Sequence, residues 1–194
     1  MVTKMGKLKG LTWVMLYFSG YLATFAQAPQ DAIRWGTKEL SWSDFKGRPN
    51  PRGLPIGAET MSVIHIEISE VQPHHPQAIV EALFDPQKSW VSNRHPLLLE
   101  HERVHFAISE LYARKLRKQL GNMTLDEATY EDQAIHLFHQ MNRQMDQYQT
   151  QYDRETDFSR NVAMQAKWNE DIKAQLQKLE EAAEVTVKLK VRAK

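Results

Sequence analysis

The chain contains no cysteine. Disulfides, thiolate metal sites, a cysteine nucleophile and a lipidated amino-terminal cysteine are thereby excluded, which leaves histidine and carboxylate as the strong metal ligands. Charge of one sign is missing as well: 25 Lys and Arg stand against 24 Asp and Glu, a formal net charge of +1. That balance gives no electrostatic case for a nucleic-acid partner. Glycine and proline are sparse at eight each, and several crowd into one stretch, Gly47, Pro49, Pro51, Gly53 and Pro55. Long apolar runs are absent with one exception. Lys4, Lys7 and Lys9 precede a charge-free stretch from Leu11 to Ala28 that closes in small residues before Pro29.

That exception reads as a secretory signal peptide over residues 1–26, with a basic n-region, an apolar h-region and cleavage after Ala26 rather than before Pro29. An uncleaved membrane anchor is the alternative, and either assignment puts the remainder in the periplasm or outside the cell. The three lysines leave with the segment and no acid does, so the remaining chain is slightly acidic. Residues 27–182 are long enough for a single domain with its own core. No internal repeat is present.

What stands out is His101-Glu102-Arg103-Val104-His105, an HExxH sequence. Residues four apart share one face of a helix, so both imidazoles can reach a single zinc ion while Glu102 is positioned to activate a water at that ion. Residue frequencies give roughly 2 chances in 100 of an accidental HExxH in a chain of this make-up. Its surroundings have helical period: Leu97, His101, Val104, Ile108, Leu111, Leu116 and Leu120 recur at three-to-four spacing, with the histidine pair on the inward stripe. Two histidines satisfied by hydrogen bonds in a helical core are the bland alternative.

The rest of the sequence predicts an α+β domain: a small amino-terminal antiparallel sheet followed by three helices. Residues 33–60 mix Ile33, Trp35, Leu40, Trp42 and Phe45 with turn formers, as short strands and a long loop would. From Met61 to Val71, Ile64, Ile66 and Ile68 alternate with Val63, His65 and Glu67, and Gln77 to Phe84 forms a second strand across a loop holding His74 and His75. Those two histidines, between prolines, read as a solvated turn. After Gly121, the spacing of Thr124 and Glu127 fits a capping box that would start the second helix. Its stripe runs Ala134, Phe138, Met141, Met145, Tyr148, Tyr152. A third helix from about Asn161 would turn Met164, Gln165, Trp168, Ile172, Leu176 and Leu179 inward. The basic tail, residues 183–194, changes to period two over Val185–Val191 and either adds a strand or remains an arm.

Several blocks, in order and spacing, resemble a bacterial exported family of unknown function that is grouped on its HExxH with zincin-like metallopeptidases. They are Leu40-Ser41-Trp42-Ser43-Asp44-Phe45-Lys46-Gly47, Ala58-Glu59-Thr60, Lys88-Ser89-Trp90-Val91, Leu98 to Phe106 around the HExxH, Ala113-Arg114-Lys115-Leu116 and Tyr152-Asp153-Arg154-Glu155-Thr156. The resemblance implies a zincin-like active helix, Zn2+ as cofactor and a peptide or protein substrate. The last block of that family reads YDxxTxH, and its histidine is the natural third zinc ligand; here Phe158 stands at that position.

A catalytic zinc site uses three protein ligands and a water. Asp153, Glu155 and Asp157 surround the missing histidine, and Asp153 is the expected third ligand because the resemblance locates the site at that block. A tight hairpin about residues 121–124 would instead set residue 103 opposite 142 and leave Asp153 roughly 16 Å too far along the second helix. His139 and Asp146 would be nearer in height. The expected function is an exported zinc metallopeptidase with His101, His105 and Asp153 on the metal, Glu102 as general base, and Tyr152 or another hydroxyl on the oxyanion. The alternative is a non-catalytic zincin-like envelope protein with a binding or structural role.

Overall fold

The computed structural model describes residues 23–25, 28–29, 31–49, 57–72 and 74–192. Most of the expected signal segment and the turn-rich residues 50–56 lie outside the described residues. Residues 23–25 form a strand, β1 (Ala23–Phe25), paired antiparallel with Ile66–Ile68. None of the described helices is long and apolar enough to cross a membrane.

The architecture is α+β. Two long strands, β4 (Ser62–Gln72) and β5 (His75–Phe84), make an antiparallel hairpin that is the spine of the main sheet. β1 lies on the outer side of β4, while β2 (Ile33–Arg34) and a carboxy-terminal strand, β8 (Thr186–Lys188), share the other side of β5 at its two ends. The alternation read from the sequence has a plain consequence here. Ile64, Ile66 and Ile68 of β4 and Ala78, Val80, Ala82 and Phe84 of β5 turn to one face and are buried. The helix α1 (Pro96–Asn122) lies across that face and is flanked by α2 (Tyr130–Thr156) and α3 (Val162–Lys178). A second pair, β3 (Ala58–Glu59) with β6 (Trp90–Val91), sits beside the amino-terminal part of α1.

Local chemistry sets the helix ends. Pro96 opens α1, where its missing N–H costs nothing, and His95 caps it by accepting from the Leu97 amide at 3.3 Å. Asn161 caps α3 by accepting from the Met164 amide at 3.2 Å. Packed between the sheet and the other helices, α1 buries residues on nearly every side, including the charged Glu110, Arg114 and Arg117. Arg117 is 2% exposed and fully engaged: it donates to both Glu110 carboxylate oxygens, to the Val80 carbonyl and to the carbonyls of Ala182 and Ala183. One guanidinium thus ties helix, sheet and tail together.

Ahead of the sheet, Asp44 closes the turn at Trp42–Asp44. Its carboxylate accepts from the Ser41 amide at 2.8 Å and from Lys38 Nζ at 2.6 Å. Gly47 follows, and a Cβ there would stand 2.8 Å from the Ser89 carbonyl oxygen and 2.9 Å from that of Gln87, so only glycine fits against this turn.

Two expectations fail, and both failures matter to the site. Thr124–Asp126 is not the start of a helix but a strand, β7, paired in parallel with β9 (Lys190–Arg192). The Thr124/Glu127 spacing matched a capping box, yet Leu125 is completely buried, and strand pairing with the distant carboxy terminus overrides the local signal. The helix begins only at Tyr130, after Thr129. Secondly, the sheet is not wholly amino-terminal, because β8 completes it from the far end of the chain.

Candidate metal centre

His101 and His105 lie one turn apart on α1 and project into an open cleft of about 810 Å³, lined also by Glu102, Ala58–Ser62, Leu98, Gln149, Asp153 and Phe158. Across the cleft floor stands Asp153, in the last turn of α2. Its Oδ1 is 3.1 Å from His101 Nε2 and 2.9 Å from His105 Nε2, and the two Nε2 atoms are 3.2 Å apart. These three side chains could hold a metal ion. Tetrahedral ligands at 2.0–2.1 Å from zinc are about 3.3 Å from one another, so the donor set needs only slight expansion to take the ion.

The tight-hairpin expectation, which put Asp153 out of reach, is corrected here. His101 faces Asp153 and His105 faces Gln149, so the antiparallel pair of helices is centred near residue 127 rather than 122 or 123. The interposed strand β7 lengthens the connection. It moves the residue opposite His101 about nine positions along α2, about 14 Å at 1.5 Å per residue. Asp146 lines the cleft outside the cluster, whereas His139 is exposed on α2 away from it.

Both imidazoles are oriented from behind. His101 Nδ1 is 3.0 Å from Gln165 Oε1, and His105 Nδ1 bonds Gln149 Oε1. Tyr152 stacks on His101 with ring centroids 4.5 Å apart and an interplanar angle of 18°. Its hydroxyl donates to the His101 carbonyl at 3.2 Å and accepts from Gln165 Nε2 at 2.6 Å. Completely buried, Tyr152 does not line the cleft, so it supports a ring and is not available to an oxyanion. Burial pushes its pKa up, which keeps the phenol neutral.

Electrostatics draw positive charge into the cluster. Burial disfavours protonated His105, but the hydrogen bond from Asp153 and the charges of Glu102 and Asp153 outweigh it and raise the His105 pKa. Asp153 is likewise disfavoured as an anion by burial, yet the hydrogen bonds of both histidines hold its carboxyl well below the usual range. Glu102, 3% exposed, has an Oε2 that is buried and accepts no hydrogen bond. A buried carboxylate oxygen without a partner is costly, and its exposure to the same cleft suits a proton-accepting role.

Phe158 lies at the cleft rim, 37% exposed. Asp157, Phe158 and Ser159 have consecutive positive φ values of 48°, 51° and 72°, an uncommon left-handed turn for residues with a Cβ. The Phe158 amide donates to the Asp153 carbonyl at 3.0 Å and so braces the end of α2. Glu155 points elsewhere, accepting from Trp168 Nε1 at 2.9 Å, and Asp157 pairs with Arg160. The hairpin-loop histidine His74 bonds Glu127, outside the cluster. Gln149 and Gln165 escaped the sequence reading as functional residues, although Gln165, a polar side chain on the inward stripe of α3, was a signal for one of them.

Residues 71–161 match the model of a family described as bacterial protein of unknown function (DUF922). The matched span holds His101, Glu102, His105 and Asp153 and stops short of Gln165. No curated protein and no solved structure matches the chain.

Proposed function

We propose that this chain is an exported zinc-dependent hydrolase of peptide bonds, with His101, His105 and Asp153 as metal ligands and Glu102 as general base. The observation that carries the reading is the convergence of two imidazole nitrogens and a carboxylate oxygen, all within 3.2 Å of one another. Three atoms with lone pairs do not gather in this way without a cation between them.

Zinc bound there supplies Lewis acidity that brings water ionisation near neutral pH and polarises a carbonyl. The protein's own contribution is positional. α1 sets Glu102 next to the first ligand, and its otherwise unpartnered Oε2 takes a proton from water and delivers it to the leaving amine. β3, paired with β6 on one side, lines the cleft and suits an extended peptide added along its length.

Glu102→Gln tests the assignment: the variant is expected to retain stoichiometric zinc and to lose about 10²-fold or more of metal-dependent peptide hydrolysis. Undiminished hydrolysis would remove Glu102 as the base. The second reading, a non-catalytic zincin-like envelope protein, draws on Phe158 at the position where the resembling family has its histidine. It predicts purified wild-type protein without stoichiometric zinc and without hydrolysis.

A further inference from the structure

Behind His101 runs a chain of side chains that reaches the surface. His101 Nδ1 meets Gln165 Oε1; Gln165 Nε2 donates to Asn169 Oδ1 at 2.8 Å; Asn169 Nδ2 donates to Glu100 Oε1. An amide can be turned over, exchanging its donor and acceptor ends, and a hydroxyl can act either way. The Tyr152 hydroxyl, within reach of both ends of the Gln165 amide, therefore selects neither orientation. Only the ionised carboxylate of Glu100 has a fixed sense, because it can only accept.

Polarity then propagates inward. Glu100 requires the NH2 of Asn169, Asn169 presents its oxygen to the NH2 of Gln165, and Gln165 presents its oxygen to His101. Nδ1 of His101 must carry the ring hydrogen, and Nε2 is left bare toward His105 and Asp153. We infer that Glu100, exposed on α1, is a positioning residue that sets the tautomer of His101 through Asn169 and Gln165, and so keeps its metal-facing nitrogen unprotonated. His105 has no equivalent: the Gln149 amide behind it passes to no further side chain among the described residues. The consequence for metal affinity rests on the zinc reading above, whereas the tautomer does not.

Nitrogen-15 NMR of the histidine rings in metal-free protein near neutral pH decides the matter. Glu100→Lys replaces the obligatory acceptor with an obligatory donor, so the chain should reverse and His101 should move to the Nε2–H form while His105 keeps its own. Adding Asn169→Asp to Glu100→Lys should restore Nδ1–H at His101, since an aspartate beside Gln165 can only accept. The zinc dissociation constant should rise at least tenfold in Glu100→Lys and recover in the double variant. A merely structural contact between α1 and α3 would not give this reversal and rescue. Retention of Nδ1–H on His101 in Glu100→Lys overturns the inference, as does a failure of Asn169→Asp to restore it. If wild-type protein takes up no zinc, the metal reading fails while the ring spectra still decide this one.

Discussion

Zinc should stabilise the folded chain by an amount that can be worked out beforehand. Three donors lie pre-assembled on two helices, so the ion binds the folded state and finds no such site in the unfolded chain. At free zinc one hundred times the dissociation constant, linkage gives about 2.7 kcal/mol. For a domain of this size that corresponds to about 5–11 °C in Tm, at about 2–4 °C per kcal/mol. Asp153 is the only anionic donor of the three. If its replacement by Ala weakens binding a hundredfold, the same zinc concentration contributes only about 0.4 kcal/mol, about 1–2 °C. Differential scanning calorimetry of chelator-treated protein, with and without zinc, measures both numbers. Alanine at His74 and His75 should leave the shift intact, since the hairpin tip lies outside the cluster. A wild-type Tm indifferent to zinc, or a full shift retained by Asp153→Ala, would refute the metal centre.

Three further outcomes follow from contacts elsewhere. Arg117→Met should cost about 3–5 kcal/mol in urea unfolding, because it strips the buried Glu110 of a partner and leaves three carbonyls without their donor; a loss of about 1 kcal/mol or less would contradict that account. For Asp44, burial resists ionisation, but Lys38 and Ser41 prevail and lower its pKa in the folded state. Its contribution is thus complete above the unfolded carboxyl pKa of about 3.9 and is lost as pH falls through the lower folded value. Asp44→Asn should accordingly be less stable than wild type by a constant margin from pH 6 to 8, with the gap closing below about pH 4; a margin unchanged at pH 3 would disprove the linkage. Tyr152→Phe should destabilise by about 1–3 kcal/mol through the unsatisfied Gln165 amide and His101 carbonyl. Any peptide hydrolysis should keep its chemical step in that variant, and loss of kcat with unchanged zinc content would return Tyr152 to the oxyanion.

Much of the architecture was legible because it depends on local periodicity. The isoleucines of β4 alternate, the α2 stripe steps by three and four, and Asn161 announces α3; in each case the burial pattern is a direct consequence of backbone geometry. Thr124–Glu127 shows where that reasoning stops. A four-residue signal for a helix start was overridden by parallel pairing with Lys190–Arg192, more than sixty positions away in sequence and invisible to any local pattern. The same holds for Tyr152. Its hydroxyl looked free to serve catalysis until α3 was packed over it.

By itself the sequence determined that His101 and His105 share a helical face, that Glu102 adjoins them, and that no thiolate can take part. These follow from residue identity and the 3.6-residue turn alone. Which group meets the two imidazoles was decided by the tertiary structure. Asp153, Glu155 and Asp157 are chemically near-equivalent in the sequence, and only the lengthened connection through β7 sets the helix register that brings Asp153 Oδ1 to within 3.1 Å of both rings. The sense of the hydrogen bonds behind His101 is likewise tertiary, because it runs through Glu100, Gln165 and Asn169, residues that meet only when α3 docks on α1.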